Sequence, residues 1–292
     1  MNAIPATARA PVARLLSMIK FSHTVFALPF ALLAAVLAAR GIPGARTSSL
    51  LLLAMVGARS AAMSFNRIVD RDVDARNPRT KAREIPSGAI PLSAAVLFCA
   101  ASAGVFVLAA ALLSPLCLAL SPVALLVVLG YSYTKRFTAA SHLVLGLALA
   151  IAPVGAWIAV TGRLALLPVL LGLAVLFWVA GFDVLYSLQD ERFDRAAGLR
   201  SLAVRLGPRG ALFAATLFHA AALALLYSVF VLARGGVLFG AGVVVAGVFL
   251  IRQHVLVSPK DLSRLDAAFF ASNGWLSVGF AAAGILDTLI RR

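Results

Sequence analysis

Acidic residues and cysteines are scarce in this chain. Only 11 of its 292 residues are Asp or Glu, against 26 Lys and Arg, and it has 2 Cys and 4 His. Cys99 and Cys117 form no Cys-x-x-Cys motif and have no histidine beside them, which leaves a disulfide framework or a zinc site without support. His142, His219 and His254 stand singly in or near apolar segments, where we expect hydrogen-bonded structural residues.

The sequence also lacks polar linkers, low-complexity tracts and a soluble domain. It is 62% hydrophobic with a mean hydropathy of +0.99, and its apolar runs are long enough to cross a bilayer. The first run has no convincing small-residue cleavage site, so we expect it to be retained. Residues 1–292 are therefore predicted to form a single all-α, polytopic membrane domain, with residues 1–15 mobile and nine spans at 21–39, 48–66, 91–113, 115–133, 141–161, 164–183, 210–233, 235–251 and 267–289.

The net charge of +15 follows the predicted topology and does not form one polybasic tract. With the amino terminus in the cytoplasm, 19 basic residues lie on the cytoplasmic side and 6 on the other, and Arg59 lies within a span. This asymmetry fixes the orientation in the cell (inner) membrane. Because membrane topology accounts for the positive charge, we do not expect the protein to bind nucleic acid. The sequence also indicates no obligate protein partner.

Eight of the eleven carboxylates fall in two short stretches at cytoplasmic ends of predicted spans. Within each stretch oxygen ligands recur every four residues, so that one helical face would present them together. Carboxylate and amide oxygens suit Mg²⁺, which leaves coordination positions for substrate phosphates. The pattern predicts two Mg²⁺-diphosphate motifs, built from Asn66, Asp70 and Asp74 and from Asp190 and Asp194.

Asp183 extends the second motif, because it precedes Asp190 by seven residues and Tyr186 lies on its side of the helix. A carboxylate at the membrane end of a span needs an aqueous cavity or a cationic partner. We therefore predict that Asp183, Asp190 and Asp194 share one helical face. The remaining acids have other predicted roles: Asp72 and Glu191 as salt-bridge or capping groups, and Asp261, Asp266 and Asp287 as solvated or span-end charges.

Basic residues interleave with these acids, as binding of a diphosphate requires. A further basic pair, Lys135 and Arg136, ends the fourth predicted span on the same side, where it would bind diphosphate or the carboxylate of a second substrate. His23 lies at the cytoplasmic mouth of the first span and is a candidate substrate contact. The predicted substrate-binding residues are His23, Arg67, Arg71, Arg79, Arg83, Lys135, Arg136, Tyr186 and Arg200.

The two halves of the chain share a weak similarity, in that each has a span that ends in an acidic motif, a basic segment and a return to the membrane. We expect the halves to face each other across one central cavity. Spans two and six would carry the motifs, spans one and five would complete the wall, and two loops of about 25 residues would form a cytoplasmic cap, since loops of that length usually carry function.

These residues resemble the UbiA family of membrane-intrinsic prenyltransferases, in particular its 4-hydroxybenzoate polyprenyltransferase-like branch. The resemblance covers nearly the whole chain. It rests on Asn66-Arg-Ile-Val-Asp70-Arg-Asp-Val-Asp74 with Arg79 to Gly88, on Asp183 to Asp194 with Gly198-Leu-Arg-Ser201, and on Tyr131 to Arg136. Arg67 departs from the family pattern, since many members carry an acidic residue after the asparagine.

The resemblance implies nine helices around a cavity, Mg²⁺ held through Asn66, Asp70, Asp190 and Asp194 with Asp74 completing the motif, and transfer of an allylic chain from polyprenyl diphosphate. The acceptor would be an aromatic hydroxy acid of the 4-hydroxybenzoate type, in ubiquinone or menaquinone synthesis. Asp183, Asp190 and Arg136 would be catalytic: either carboxylate, or released diphosphate, would take the ring proton, and Arg136 would suit the acceptor carboxylate. Membrane lipid would surround the prenyl tail.

Alternatives remain open at this stage. Within the family, the acceptor 1,4-dihydroxy-6-naphthoate fits the same residues, and haem or chlorophyll prenylation is a further possibility. A CDP-alcohol phosphotransferase also pairs aspartates on membrane helices, but the sequence has no Asp-Gly-x-x-Ala-Arg element. A cation-coupled transporter would place its acids near the bilayer midplane, whereas these lie at span ends.

Overall fold

A computed structural model describes residues 11–19, 26–258, 262, 265 and 271–291. Regular structure in this part of the chain is helical, as predicted. The helices are α1 (Pro11–Met18), α2 (Leu28–Ala39), α3 (Ala45–Val69), α4 (Arg71–Arg76), α5 (Leu92–Leu113), α6 (Pro115–Thr134), α7 (Ser141–Thr161), α8 (Leu166–Ser187), α9 (Glu191–Ala196), α10 (Leu202–Leu232), α11 (Val237–Leu256) and α12 (Asn273–Ile290).

Eight helices in the described residues are long and apolar enough to cross a membrane, and α2 is a shorter apolar helix of 12 residues. Residues 20–25 and 266–270, which belong to the first and last predicted spans or border them, lie outside the described residues. Each of the nine predicted spans thus has its helix. The prediction of an all-helical, polytopic membrane protein is confirmed.

Several helix ends follow from local sequence signals. The Ser114 hydroxyl accepts a hydrogen bond from Cys117 N at 3.1 Å, and Pro115 occupies the first turn of α6, where its missing N–H costs nothing. Ser201 caps α10 in the same way, accepting from Val204 N at 3.2 Å. α7 ends at Gly162, whose φ of 70° lies in the left-handed region that glycine adopts without strain.

α10 begins earlier than the predicted span, which we placed at 210–233. Its helical hydrogen bonding starts at Leu202, but Gly207, with φ 68° and ψ 173°, breaks the helix just before Pro208. The apolar pattern detects only the segment after this kink, because Arg205, Gly207, Pro208 and Arg209 interrupt the apolar run before residue 210. The kinked first turn brings the amino terminus of α10 to the end of the bundle that carries the two acidic motifs.

Small residues let helices approach closely within the bundle. A Cβ at Gly57 of α3 would lie 2.9 Å from Phe106 N of α5, and one at Gly146 of α7 would overlap the Leu176 carbonyl of α8. Such close approach replaces the hydrophobic driving force that lipid does not supply. An aromatic cluster centred on Trp178, which is 1% exposed, fills the core between α2 and α8.

The acidic motifs lie at one end of the bundle, together with α4, α9 and the loop from Asn77 to Pro91. Helix α1 packs on this loop: Ser17 Oγ donates to Glu84 Oε1 at 2.6 Å, and Arg14 Nη1 donates to the Ala89 carbonyl at 3.2 Å. Residues 1–10 lie outside the described residues, so the mobility of residues 1–15 remains a prediction, although α1 already begins at Pro11.

Candidate active site

The first acidic motif spans the junction between α3 and α4. α3 ends at Val69, and Asp70 has φ −91° and ψ 4°, yet hydrogen bonds of helical spacing continue from Asp70 N to the Asn66 carbonyl (2.9 Å) and from Asp74 N to the Asp70 carbonyl (2.7 Å). The Asn66 side-chain amide donates to Asp70 Oδ2 at 2.9 Å. The four-residue spacing therefore brings together the side chains of Asn66 and Asp70, whose role as Mg²⁺ ligands stays a prediction.

The second motif is not one continuous helix. α8 ends at Ser187, a 3₁₀ turn covers Leu188–Asp190, and α9 begins at Glu191. Because a 3₁₀ turn has three residues per turn and not 3.6, it changes the angular position of every later side chain. A change of helix type therefore separates Asp183 from Asp190 and Asp194, and the shared face of these three carboxylates stays a prediction.

The two motifs meet through a bidentate ion pair. Arg79, five residues after Asp74, donates from Nε to Asp190 Oδ1 at 2.9 Å and from Nη2 to Oδ2 at 2.5 Å. The Asn77 amide also reaches Asp190 Oδ1, at 3.5 Å. The Arg79 guanidinium lies 5.7 Å from the centre of the Tyr186 ring. Both motifs thus lie at the same end of the molecule, although the paired side chains are 111 positions apart in the sequence.

Three further pairs join predicted metal ligands to predicted substrate-binding cations. Arg83 Nη1 donates to both oxygens of Asp74 at 2.7 Å. Arg136 Nη2 donates to Asp70 Oδ1 at 3.1 Å and to the Val69 carbonyl at 2.8 Å. Lys135 Nζ lies 4.0 Å from Asp194 Oδ2. The cationic side chains that we predicted to bind substrate therefore contact the carboxylates that we predicted to bind Mg²⁺.

The arrangement of the predicted oxygen ligands is compatible with Mg²⁺. Among the described residues, no three acidic or histidine side chains lie close enough together to hold one ion. Mg²⁺ does not need such a cluster, since it usually takes one or two carboxylates and fills its octahedron with phosphates and water. Asp194 Oδ2 is buried and accepts no hydrogen bond. A buried carboxylate oxygen without a donor and a neighbouring amide–carboxylate pair fit a hard cation that arrives with its substrate.

The electrostatics at Asp70 point the same way. Burial raises the pKa of the Asp70 carboxyl, and the nearby Asp74 carboxylate raises it further, while Arg136 and Lys135 act in the opposite direction. Despite its arginine partner, this carboxylate is therefore under-compensated in positive charge. An additional cation near Asp70 would relieve that deficit.

Other predicted residues lie at the edge of this network or outside it. Arg71 contacts the Ile68 carbonyl and lies 3.6 Å from Asp72, and Arg200 donates to the Phe137 carbonyl at 2.7 Å. Within the described residues, neither side chain forms a hydrogen bond or ion pair with the five predicted ligands. His23 lies outside the described residues. Arg67 is 3% exposed, with Nη1 3.4 Å from Asn66 Oδ1. Asp72 and Glu191 pair with neighbouring arginines, as predicted.

Asp183 has a partner that the sequence interpretation missed. His142 Nδ1 lies 2.6 Å from Asp183 Oδ2, and the imidazole is fully buried. We predicted His142 to be only a structural residue near the start of a span. No spacing rule connects it to an aspartate 41 residues later. Only the packing of α7 against α8 brings the two side chains together.

A cavity of about 610 Å³ begins at Asp183 and extends into the bundle. Its wall is almost entirely apolar and comes from α3, α5, α6, α7, α8 and the residues just before α2, so the third and fourth spans contribute in addition to the four that we predicted. Leu120, Val123 and Leu147 in this wall are 42%, 57% and 43% exposed, which indicates that the cavity opens laterally along α6 and α7.

One cation, Arg59, lines the cavity among the described residues. Sequence interpretation left it without a role. The available signal was its position inside a span, seven residues before Asn66, which places both residues on one face of α3. Ser121, Tyr131 and Asp183 are the other polar side chains of the wall.

Comparison with known proteins agrees with this arrangement. A protein named 4-hydroxybenzoate octaprenyltransferase from Nitrosomonas europaea is 34% identical over 259 residues, covering 87% of each chain. One of the same name from Aromatoleum aromaticum is 31% identical over 251 residues, covering 86% of this chain and 85% of the relative.

Among solved structures, a UbiA homologue from Aeropyrum pernix K1 superposes with a TM-score of 0.80 at 35% identity, covering 91% of this chain and 97% of the homologue. A UbiA homologue from Archaeoglobus fulgidus bound to DMAPP and Mg²⁺ gives a TM-score of 0.72 at 21% identity, covering 94% and 99%, which is a likeness of fold. Residues 27–275 also match the sequence model of one family, and with the paired acidic motifs at the mouth of an apolar cavity this chain belongs to the UbiA prenyltransferase family.

Proposed function

We propose that this protein transfers a polyprenyl chain from polyprenyl diphosphate to an aromatic hydroxy acid of the 4-hydroxybenzoate type, with Mg²⁺ as cofactor. The proposal rests on one observation: the apolar cavity meets the charged end of the molecule at Asp183 and Tyr131. Both line the apolar cavity. Lys135 and Arg136 follow Tyr131 just after the end of α6 and contact the acidic motifs. A substrate with an apolar chain and an anionic head fits such a junction.

The diphosphate end is assigned to the basic residues of the cap. Arg79, Arg83 and Lys135 contact Asp190, Asp74 and Asp194, and would exchange these partners for phosphate oxygens when substrate and metal bind. Asn66, Asp70, Asp190 and Asp194, with Asp74, would hold Mg²⁺. When bound, Mg²⁺ neutralises charge that accumulates on the departing diphosphate. The Archaeoglobus fulgidus homologue, whose structure contains DMAPP and Mg²⁺, supports this pairing.

The prenyl chain is assigned to the apolar cavity. Its volume of about 610 Å³ and its lateral opening suit a chain whose far end extends into lipid. Apolar walls also exclude water from the reacting end, which protects a cationic allyl group from hydrolysis. Asp183, at the cavity end, is assigned as the base that accepts the ring proton, ahead of Asp190, because both Asp190 oxygens are bound by Arg79.

The acceptor carboxylate is assigned to Arg136. Arg59 is a second candidate for the same group, and a specific observation favours it: Arg59 lines the cavity, whereas the Arg136 guanidinium is bound to Asp70 and the Val69 carbonyl. Either cation suits 4-hydroxybenzoate or 1,4-dihydroxy-6-naphthoate, since both carry a carboxylate. The positive-inside asymmetry supports an active site on the cytoplasmic side of the inner membrane.

Product analysis tests the proposal. The purified protein in lipid receives Mg²⁺ and a matrix of acceptors (4-hydroxybenzoate, 1,4-dihydroxy-6-naphthoate, haem) and polyprenyl diphosphates of several lengths, with products identified by mass spectrometry. We expect a prenylated aromatic acid that is absent with EDTA. Prenylated haem alone, or no product with any acceptor, would overturn the assignment, and Mg²⁺-driven cation flux in sealed vesicles would favour a transporter.

A further inference from the structure

We propose that His142 is the positioning residue of the reaction: it holds Asp183 by one carboxylate oxygen and so directs the other oxygen at the acceptor ring. This inference rests on the proposed function, because it assigns a role to a neighbour of the proposed base. The contact joins the start of α7 to the last turn of α8, where Asp183 lines the cavity.

Hydrogen bonding on both sides of the imidazole determines its tautomer. The Leu202 backbone N–H donates to His142 Nε2 at 3.3 Å, so Nε2 must present a lone pair. Nδ1 then carries the proton and donates it to Asp183 Oδ2, 2.6 Å away. The imidazole, which has no solvent exposure, is therefore a neutral donor that cannot turn without losing both bonds.

The bond to Leu202 also ties Asp183 to a third helix. Leu202 is the first residue of α10, and its N–H belongs to the first turn, where backbone donors have no partner within the helix. His142 satisfies that donor. α7, α8 and α10 are thereby connected through one side chain, and rotation of any of them would move the Asp183 carboxylate.

The consequence for chemistry concerns the second oxygen of Asp183. Oδ2 is occupied by His142, and the side chain retains 20% exposure beside the cavity, so Oδ1 is available to a group inside it. In the transfer step, the bond from prenyl C1 to diphosphate breaks, and its electron pair leaves with the diphosphate. The ring carbon forms a new bond to C1 and at this point still bears its proton. That C–H bond breaks, its electrons restore aromaticity, and the proton passes to Asp183 Oδ1 and then to water as product leaves.

Two substitutions separate positioning from packing. In His142→Leu the donor is lost, and we expect kcat to fall by about ten- to a hundredfold, the loss typical of one hydrogen bond to a charged group, with KM for the polyprenyl diphosphate unchanged. In His142→Asn the side-chain amide takes the place of Nδ1–H, and most of kcat should return.

The matched control is His219→Leu, which removes another buried imidazole. His219 pairs with His254 on α11 and lies outside the cavity wall. It should lower thermal stability and leave kcat near wild type.

A double-mutant comparison is the stricter test. In an Asp183→Asn background, where the base is already lost, His142→Leu should slow turnover no further. Equal fold-losses in the two backgrounds, or full kcat in His142→Leu, would overturn the proposal and leave His142 a packing residue.

A spectroscopic measurement is independent of activity. With ¹⁵N-labelled histidine, His142, identified by its loss in His142→Asn, should be protonated at Nδ1, and its strongly deshielded proton should move upfield in Asp183→Asn. Protonation at Nε2 would overturn the inference whatever the turnover. If this signature is present and wild-type protein prenylates no aromatic acid, the proposed function fails while the pairing of His142 with Asp183 stands.

Discussion

Asp194 and Asp287 are buried to the same extent at opposite ends of the molecule, with 4% and 5% exposure, yet their surroundings differ completely. Asp287, on the last turns of α12, accepts from Gly236 N at 2.7 Å and from Phe239 N at 3.4 Å, and Arg291 lies 3.5 Å from it. Asp194 has Lys135 at 4.0 Å, and its Oδ2 accepts no hydrogen bond.

The two sets of contacts separate a structural carboxylate, Asp287, from Asp194, which we propose to be functional. Asp287 neutralises the amino terminus of α11 and shares its charge with a nearby arginine, so both oxygens are used within the protein. We predicted a solvated or span-end charge there; it is at a span end, but it is not solvated. Asp194 carries the desolvation cost of burial without matching partners, which is typical of a site that awaits a ligand.

The largest effect is expected from the acids at the motif-bearing end. Asp70→Ala, Asp190→Ala and Asp194→Ala should each abolish prenyl transfer, because Mg²⁺ and diphosphate lose an oxygen ligand, while the protein still inserts and folds. Product formation by mass spectrometry and monodispersity in detergent measure the two properties. Asp72→Ala is the control, since Asp72 belongs to the same motif but its side chain is 78% exposed and pairs only with Arg71; it should remain active. Near-normal turnover in the three variants would place the metal elsewhere.

An all-or-none result is also expected from accessibility labelling. With Cys99 and Cys117 replaced by Ser, cysteines at positions 76 and 197 should react with an impermeant thiol reagent only from the cytoplasmic face, because both flank the acidic motifs. A cysteine at position 163, in the exposed turn between α7 and α8 at the other end, should react only from the opposite face. Labelling of positions 76 and 197 from different faces would contradict a shared site.

A smaller effect distinguishes the two candidate acceptor cations. Loss of one charged partner in a partly desolvated site costs about 2 to 5 kcal/mol. Arg136→Ala should therefore weaken use of the aromatic acid and leave binding of the polyprenyl diphosphate largely intact. Initial rates with each substrate varied in turn measure this, with Arg59→Ala assayed in parallel. An unchanged acceptor KM and kcat in Arg136→Ala, with a loss in Arg59→Ala, would assign the carboxylate to the cavity arginine and leave Arg136 to order Asp70.

The smallest effect is expected at the opposite end. Asp287→Ala leaves the half-buried N–H of Gly236 and the buried N–H of Phe239 without their acceptor, which costs about 1 to 3 kcal/mol. The variant should unfold at lower temperature in detergent but retain full kcat at temperatures where it is folded. Reduced kcat without reduced stability would show that the two carboxylates are less different than their contacts indicate.

The spans and the ligand pairs were predictable because they depend on local periodicity. A run of apolar residues long enough for the bilayer has few structural alternatives. In the described part of the chain, eight long apolar helices and the shorter α2 match the nine predicted spans. The four-residue spacing of Asn66 and Asp70 likewise determines their contact at 2.9 Å. Clustering of rare acids in a chain with so few of them identified the relevant end of the molecule.

Features that depend on tertiary packing were not predictable. A sequence periodicity of 3.6 does not reveal the 3₁₀ turn at Leu188–Asp190, so the break between α8 and α9 within the second motif was not predicted. The pairing of His142 with Asp183 joins residues 41 positions apart on different helices. The choice of Arg79 as the partner of Asp190, out of several interleaved arginines, depends on the path of the loop after α4, which no propensity specifies.

The contact between α1 and the loop after α4 changes what counts as the smallest working unit of this protein. The family match begins at residue 27, and trimming only the amino terminus to that residue would retain every acidic residue and every helix from α2 to α12. It would also remove Ser17 and Met18, which hold Glu84 and fill a buried apolar cluster beneath the loop that supplies Arg79 and Arg83. A shortened or tagged form of the protein should therefore begin before Pro11, so that the contact between α1 and the loop after α4 is retained.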